Sequence, residues 1–393
     1  MILTKRENTG YTKTMKRDQN TRILLLTNYL PPYRVKLLQE MQKEVRVRSL
    51  LSTTMEPHRN WEVDWKNLDV RLQRTLTLPQ RWRHPIGFSQ RWYLYIPLDT
   101  GRLVQEYQPH LVVSAELGAR SLGACFAARR AGVPFILWAK LSDHTEKGWG
   151  RLRYHLRRFL LARADLVLVN GEAGRRYLRQ FDYPEERMFN VPYSVDLEVF
   201  RQIEDVSPVV PSRILLVARL EKRKGLAPFL EAAVRWCEHN PDRDLRLTFV
   251  GAGSLATQIE QHPHPGNLQI RMLGSLPFEQ IPTLYKDADI LSFPTLADEW
   301  GQVVSEALAA GRPVLGSVYS QAVEELIVEG ENGWLFHPDK PSEMDAALSR
   351  ALSISPETLQ RMGSTARESA RGVGIQAVLA RFFEAVDWCL DNV

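Results

Sequence analysis

The stretch FPTLADEWGQVVSEALAAGRPVLGS, residues 293–317, decides the architecture. An apolar, strand-like run ends at Phe293, and a polar loop then carries Asp298 and Glu299. Gly301 permits a close backbone approach, and a segment of helical period runs to Ala310 before Gly311 stops it. Strand, loop and helix in that order aim free backbone N–H groups and the positive end of a helix dipole at one point, which suits a phosphate. Asp298 and Glu306 flank the turn, one on the loop and one in the helix, as two acceptors suited to the hydroxyls of a sugar and a ribose. Taken alone, an acidic loop followed by a surface helix is the better account of the pair.

A second segment shifts that balance. VARLEKRKG, residues 217–225, places Arg219, Lys222, Arg223 and Lys224 between another strand and another helix. This is again the carboxyl edge of an expected parallel sheet, where open α/β folds bind ligands. Two cations there neutralise a diphosphate and the charge that grows on it as it departs. Arg223 by itself is expected at the solvated surface.

Outward from these segments, short apolar runs alternate with stretches of helical period. The expected strands are Arg22–Thr27, Val45–Leu51, Leu111–Ser114, Pro134–Ala139 and Asp165–Asn170, then Arg213–Ala218, Leu245–Val250, Leu268–Leu273, Ile290–Phe293 and Pro313–Ser317. Helical segments such as Val35–Lys43 and Leu117–Arg130 lie between several of them, the pattern of parallel α/β units. The prolines at 208 and 211 interrupt any element there. The expected organisation is a disordered extension over 1–20, a first domain over 21–200, a linker over 201–212, a second domain over 213–372 and a closing helical segment over 373–393.

The 393 residues are 44% hydrophobic and 25% charged, which excludes disordered, collagen-like and disulfide-stapled classes. No apolar run approaches the roughly 20 residues that span a bilayer, and the first twenty residues lack the apolar core of a secretory signal. Cys125, Cys237 and Cys389 are too far apart for a metal cluster or a disulfide framework, so a reducing cytoplasm is expected. Residues 1–200 carry 33 Lys and Arg against 20 Asp and Glu, whereas 201–393 carry 18 against 26, so the two halves differ in sign.

At residues 217–225 and 293–317 the sequence resembles the retaining glycosyltransferases of the GT-B fold, family 4 (glycosyl transferases group 1), over most of its second half. VGAG at 250–253, MLGSLP at 272–277, YKDADILSFPT at 285–295 and EELIVEGENGWLF at 324–336 follow the family's spacing. The resemblance implies an α/β fold of two Rossmann-like domains facing across a cleft, with the last helix crossing back onto the first domain. It implies transfer from a nucleotide sugar, UDP being the commonest base, to a glycan or lipid-linked acceptor, with no metal cofactor. Arg219 and Lys224 would contact the diphosphate, and both would be catalytic together with Asp298. Asp298 would hold the transferred sugar and Glu306 the ribose. Glu299, Gly251 and Gly274 would line the donor site, and Gly301, Gln302 and Val303 would offer main-chain amides. Three departures stand out: Asp298 replaces the commoner Glu, Ala218 replaces Gly, and the first loop, TNYLPPYRVK, lacks the usual Gly-Gly.

In that first loop, Tyr33 and Arg34 read either as acceptor or phosphate contacts or as an ordinary helix start after two prolines. His144, in FILWAKLSDHTE, matches a family His that faces the reacting sugar, and Glu116 after LVVSA is a further acceptor candidate. Asp287-Ala288-Asp289 has the form of a metal-binding DxD, but its position before a strand makes Asp289 a strand-start residue. His262 and His264 lack companion ligands. The Arg-rich segment 151–165 reads as a crossover helix that packs its apolar stripe on its own sheet, or as a membrane-surface helix whose arginines attract anionic lipid at the inner face; the aromatic loop 81–97 is the expected acceptor or membrane contact, and no nucleic-acid motif accompanies the charge. The competing reading is a catalytically degenerate nucleotide-sugar-binding scaffold within a glycan-assembly complex.

Overall fold

The structure, a computed structural model, describes residues 17–56, 63–65, 67–200, 202–203 and 210–393. Most of the expected extension (1–16) and of the expected linker (201 and 204–209) lies outside the described residues. The strands of the first domain are β1 (Arg22–Thr27), β2 (Arg46–Leu51), β3 (Asp69–Leu72), β4 (Thr75–Arg83), β5 (Ser89–Pro97), β6 (Leu111–Ala115), β7 (Phe135–Ala139), β8 (Leu166–Val169) and β9 (Met188–Asn190). Seven of them form one parallel sheet in the order β3-β2-β1-β6-β7-β8-β9. Ile23 and Leu25 of β1 enter one core, Leu24 and Leu26 the other. Both faces are covered, which is why these strands read as unbroken apolar runs rather than alternating ones.

The second domain repeats the plan with β10 (Arg213–Val217), β11 (Leu245–Val250), β12 (Leu268–Met272), β13 (Ile290–Phe293), β14 (Val314–Ser317) and β15 (Gly333–Phe336), all parallel, in the order β12-β11-β10-β13-β14-β15. The chain therefore holds two Rossmann-like domains. Strand order reverses between β1 and β6 in one sheet and between β10 and β13 in the other, and such reversals open a crevice at the carboxyl edge. Asp289 is fully buried and ties the start of β10 to β13: its Oδ2 accepts the N–H groups of Ser212 and Arg213 at 2.9 Å, and its Oδ1 binds the Arg213 guanidinium at 2.6 Å. The acid of the DxD-like motif is thus structural.

The last helix, Ile375–Asn392, leaves the second domain and closes the core of the first. Val378, Phe382, Val386 and Cys389 pack there with β1, β6, β7 and the helix Pro32–Met41. Each buried Val or Phe contributes about 1.5–3 kcal/mol, so this helix is part of the first domain's core, not an appendage.

One expectation needs correction. Residues 81–97, read as a loop, form most of the antiparallel hairpin β4–β5. The alternation Arg81-Trp82-Arg83-His84 is a strand's period of two, with the arginines outward and Trp82 and His84 buried. Trp82 and Phe88 cluster with Ala297 and Leu296 of the second domain, and Trp149 stacks on Trp82 at 5.6 Å. These aromatics join the two domains.

Candidate functional site

The loops after β10 and β13 are neighbours because their strands are paired. Their backbones touch. Gly225, at φ +65°, has no room for a side chain, since a Cβ would stand 1.9 Å from the Pro294 carbonyl oxygen. Leu296 donates its N–H to the Arg223 carbonyl at 2.7 Å. On the other flank Gly251, at φ +132°, lies against the Ala218 carbonyl, and its N–H meets Gly274 at 2.8 Å.

This contact brings acid and base together. Lys224 Nζ forms an ion pair with Asp298 Oδ2. Arg223 Nη2 lies 3.6 Å from the same oxygen and 2.9 Å from Glu299 Oε2. The Trp300 N–H donates to Asp298 Oδ1 at 3.2 Å. Burial pushes the Asp298 carboxyl up, but the Lys224 ammonium and the Arg223 guanidinium outweigh it and hold the group down at about 2. Burial pulls Lys224 below its ordinary range, Asp298 opposes that, and Arg223 and Arg219 add to it. Arg219 keeps a quarter of its side chain exposed and reaches Glu221 at 3.1 Å. Arg223, expected at the surface, is instead largely withdrawn, with 11% of its side chain exposed, and its Nη1 crosses to Gln90 of the hairpin at 3.1 Å. The acidic cluster next door draws it inward.

Glu306 lies in the helix Gln302–Ala309 and is only 5% exposed. Burial raises its carboxyl to about 7, although the Tyr285 hydroxyl, donating at 3.2 Å, works the other way. Gly301, at φ +105°, opens this helix where a Cβ would meet Phe293 and Ser320 at 2.7 Å. Gln302 Nε2 reaches the Ser194 carbonyl of the first domain at 3.0 Å, and the Val303 carbonyl accepts from Tyr285 at 3.3 Å.

From the opposite side, His144 Nε2 lies 2.8 Å from the Leu296 carbonyl and its ring stacks on Tyr319 at 3.9 Å. Burial lowers its pKa to about 4, so the imidazole is neutral near pH 7 and Nε2, facing a carbonyl, carries the proton. Arg34 is buried, its guanidinium 4.9 Å from the Tyr193 ring and 5.0 Å from that of Trp138. Tyr33 also approaches Tyr193, ring to ring at 6.1 Å. Glu116, in a left-handed conformation at φ +75°, is held by Asn28 at 2.5 Å and Arg120 at 3.2 Å.

Sequence reasoning missed several residues here. Tyr193 stacks on Trp300 at 6.3 Å and so links the two sides. Gln321 donates to both the Leu141 carbonyl at 2.8 Å and that of Glu299 at 2.7 Å. Lys140 follows the apolar strand β7, and a charge ending an apolar strand at the carboxyl edge is the signal that had pointed to Arg219. Among the described residues no cluster of His, Cys, Asp and Glu could hold a metal ion, and no helix is long and apolar enough to cross a membrane.

Comparison with known proteins fits this frame. Residues 32–194 match the family "Glycosyl transferase 4-like domain", and residues 204–369 match "Glycosyl transferases group 1". The two matched segments fall on the first and the second domain in turn. Over 217 residues it is 28% identical to the putative colanic acid biosynthesis glycosyltransferase WcaL of Salmonella typhimurium, covering 53% of each chain. Over 232 residues it is 28% identical to the D-inositol 3-phosphate glycosyltransferase of Corynebacterium diphtheriae, covering 54% of this chain and 53% of that one. The chain thus spans about half the length of the curated relatives it matches. Among solved structures, Anabaena HepE in complex with UDP superposes with a TM-score of 0.69 at 16% identity, covering 94% of this chain and 100% of that one. HepE has also been solved in complex with UDP-glucose.

Proposed function

We propose that this chain transfers a sugar from a nucleoside diphosphate sugar, with UDP as the nucleotide, to a hydroxyl of a glycan or lipid-linked acceptor, retaining the anomeric configuration. The observation that carries the reading is the buried Lys224–Asp298 pair at the β10/β13 reversal, backed by the buried Glu306. A donor entering there separates the pair. Its diphosphate takes Lys224, Arg219 and the N–H groups of Gly301, Gln302 and Val303, while sugar hydroxyls take Asp298 and the ribose takes Glu306. Glu299, Gly251 and Gly274 shape the walls.

The acceptor hydroxyl attacks the anomeric carbon from the face the diphosphate leaves. The carbon–oxygen bond to phosphate breaks as the new glycosidic bond forms, and the hydroxyl proton passes to the departing phosphate oxygen. Arg219 and Lys224 stabilise the charge that develops, in a site screened from water, with no metal in the scheme. Neutral His144 turns its Nε2–H from the Leu296 carbonyl to the transferred sugar. Tyr33, Arg34 and Glu116 lie on the acceptor side. The WcaL and HepE names support an exopolysaccharide or glycolipid setting and a UDP donor. The basic face of the first domain supports work at the cytoplasmic face of a membrane.

The test is calorimetric titration with UDP, with and without chelator, followed by transfer assays from a panel of UDP-sugars and NMR of the product's anomeric configuration. Chelator-insensitive UDP binding and a retained configuration are expected. An inverted product refutes the stereochemistry, and donor binding with no turnover on any acceptor returns the degenerate-scaffold reading.

A further inference from the structure

We infer that the acceptor carries an acidic group, a phosphate or a carboxylate, bound by Arg34 and Lys140. This rests on the glycosyltransferase reading and adds the chemical class of the second substrate. Arg34 is 6% exposed, yet its guanidinium makes no ion pair and no side-chain hydrogen bond with a described residue; it meets only the faces of Trp138 and Tyr193. Lys140 is only half-buried, but it too makes no ion pair with a described residue, its Nζ 5.1 Å from the Trp138 ring and 5.9 Å from that of Tyr193.

The nearby carboxylate does not answer these charges. Glu116 is engaged by Arg120 at 3.2 Å and by Asn28 at 2.5 Å, and Arg120 in turn binds Asn28 and the Ala115 carbonyl. Glu116 also acts on Lys140 from a distance, but one carboxylate against Arg120, Arg34 and Lys140 leaves a net excess of positive charge around the same pair of aromatic rings. Ring faces offset part of that, but withdrawn cations normally find an anion. Burial pulls Lys140 well below its ordinary range, with Arg34 and Arg120 adding as like-charged neighbours and Glu116 opposing only in part, a direction that an approaching anion would reverse.

Placement assigns the anion to the acceptor. Arg34 lies in the first turn after β1 and Lys140 directly after β7, and these strands flank β6 at the carboxyl edge of the first sheet. The cations assigned to the donor diphosphate stand on the other sheet. Tyr193 lies between, touching the Arg34–Lys140 pair on one side and Trp300, next to the Asp298 loop, on the other. A phosphate or carboxylate on the pair leaves the rest of the acceptor one aromatic ring away from the transferred sugar.

The experiment titrates glycerol 3-phosphate and glucuronate, separately, into the wild type, Lys140→Met and Arg34→Gln, each with and without saturating UDP. The wild type should bind one probe, glycerol 3-phosphate marking a phosphate site and glucuronate a carboxylate site. Either substitution should weaken it about tenfold or more, with UDP affinity unchanged. Lys140→Met removes an unpaired charge at constant shape and should melt no lower than the wild type, which guards against misfolding as an explanation. Binding of neither probe, or wild-type binding by Lys140→Met, overturns the assignment. So does a parallel loss of UDP affinity, which would give the pair to the donor. If UDP fails to bind the wild type, the donor reading falls; the UDP-free titrations still decide the anion site.

Discussion

Replacing Glu306 by Gln should make the protein more stable, but only in alkaline solution. The carboxyl ionises at about 7 in the folded chain against an ordinary 4.5, because burial disfavours its charged form. A raised pKa in the folded state gives stability that is complete below the unfolded value and is lost as pH climbs through the folded one. A shift of that size corresponds to about 3 kcal/mol. Gln keeps the shape and still accepts from Tyr285, but cannot ionise. Urea denaturation at about pH 4.5 should therefore find Glu306→Gln and the wild type alike, and at about pH 8.5 find the variant ahead by about 3 kcal/mol. The functional corollary has the opposite sign. A ribose diol is best met by a carboxylate that accepts two hydrogen bonds, so UDP should bind the wild type more tightly as pH rises through 7, whereas Glu306→Gln should bind weakly at every pH. A stability difference that is the same at both pH values would refute the reasoning.

Lys224→Ala should lower kcat by roughly 10²–10³-fold through loss of charge stabilisation on the departing diphosphate, as measured with saturating donor; unchanged turnover would remove Lys224 from the mechanism. Gly225 and Gly274 share a left-handed backbone, φ +65° and +66°, yet a Cβ clashes at the first and meets nothing within 4 Å at the second. Gly274→Ala should thus cost about 1–2 kcal/mol and Gly225→Ala clearly more, with equal losses in urea denaturation counting against the loop contact. Leu152 is 85% exposed on the helix Arg151–Leu161, whose Arg157 is buried against Glu146 and whose Arg153 lies on Trp149, so Leu152→Glu should reduce flotation with anionic vesicles, and salt should reduce it further at about 1 kcal/mol for each of the exposed Arg151 and Arg158. Flotation of the wild type that ignores both lipid charge and salt would speak against a membrane role for that face.

Most of the ten strands legible in the sequence are so because a parallel sheet covered on both faces leaves an unbroken apolar run, as in β1 and β7, while β11 and β12 show instead the alternation of a half-exposed strand. The five that escaped lack that apolar run. β3 is a half-exposed edge strand, β4 and β5 alternate arginines with aromatics around Pro79, β9 is only three residues long, and β15 has just three apolar residues after Gly333. In the candidate site, Arg219, Lys224, Asp298 and Glu306 were legible as two strand–loop–helix segments with charges at fixed offsets. Arg223 was not, since its burial follows from a carboxylate cluster and a hairpin that reach it only in three dimensions. Tyr193 and Gln321 gave no local signal for the same reason, their roles resting on the approach of one domain to the other.

The return of helix Ile375–Asn392 to the first domain also sets an order of assembly. Val378, Phe382, Val386 and Cys389 complete a core whose other members had been made by Val191. At ribosomal speeds of about 5–20 residues per second, the nascent first domain waits roughly 10–40 s with that apolar face bare. The second domain's sheet and cores are synthesised within that interval. It can therefore mature ahead of the domain that precedes it, and a ribosome stalled before residue 375 would display a folded second domain tethered to a sticky, unfinished first one.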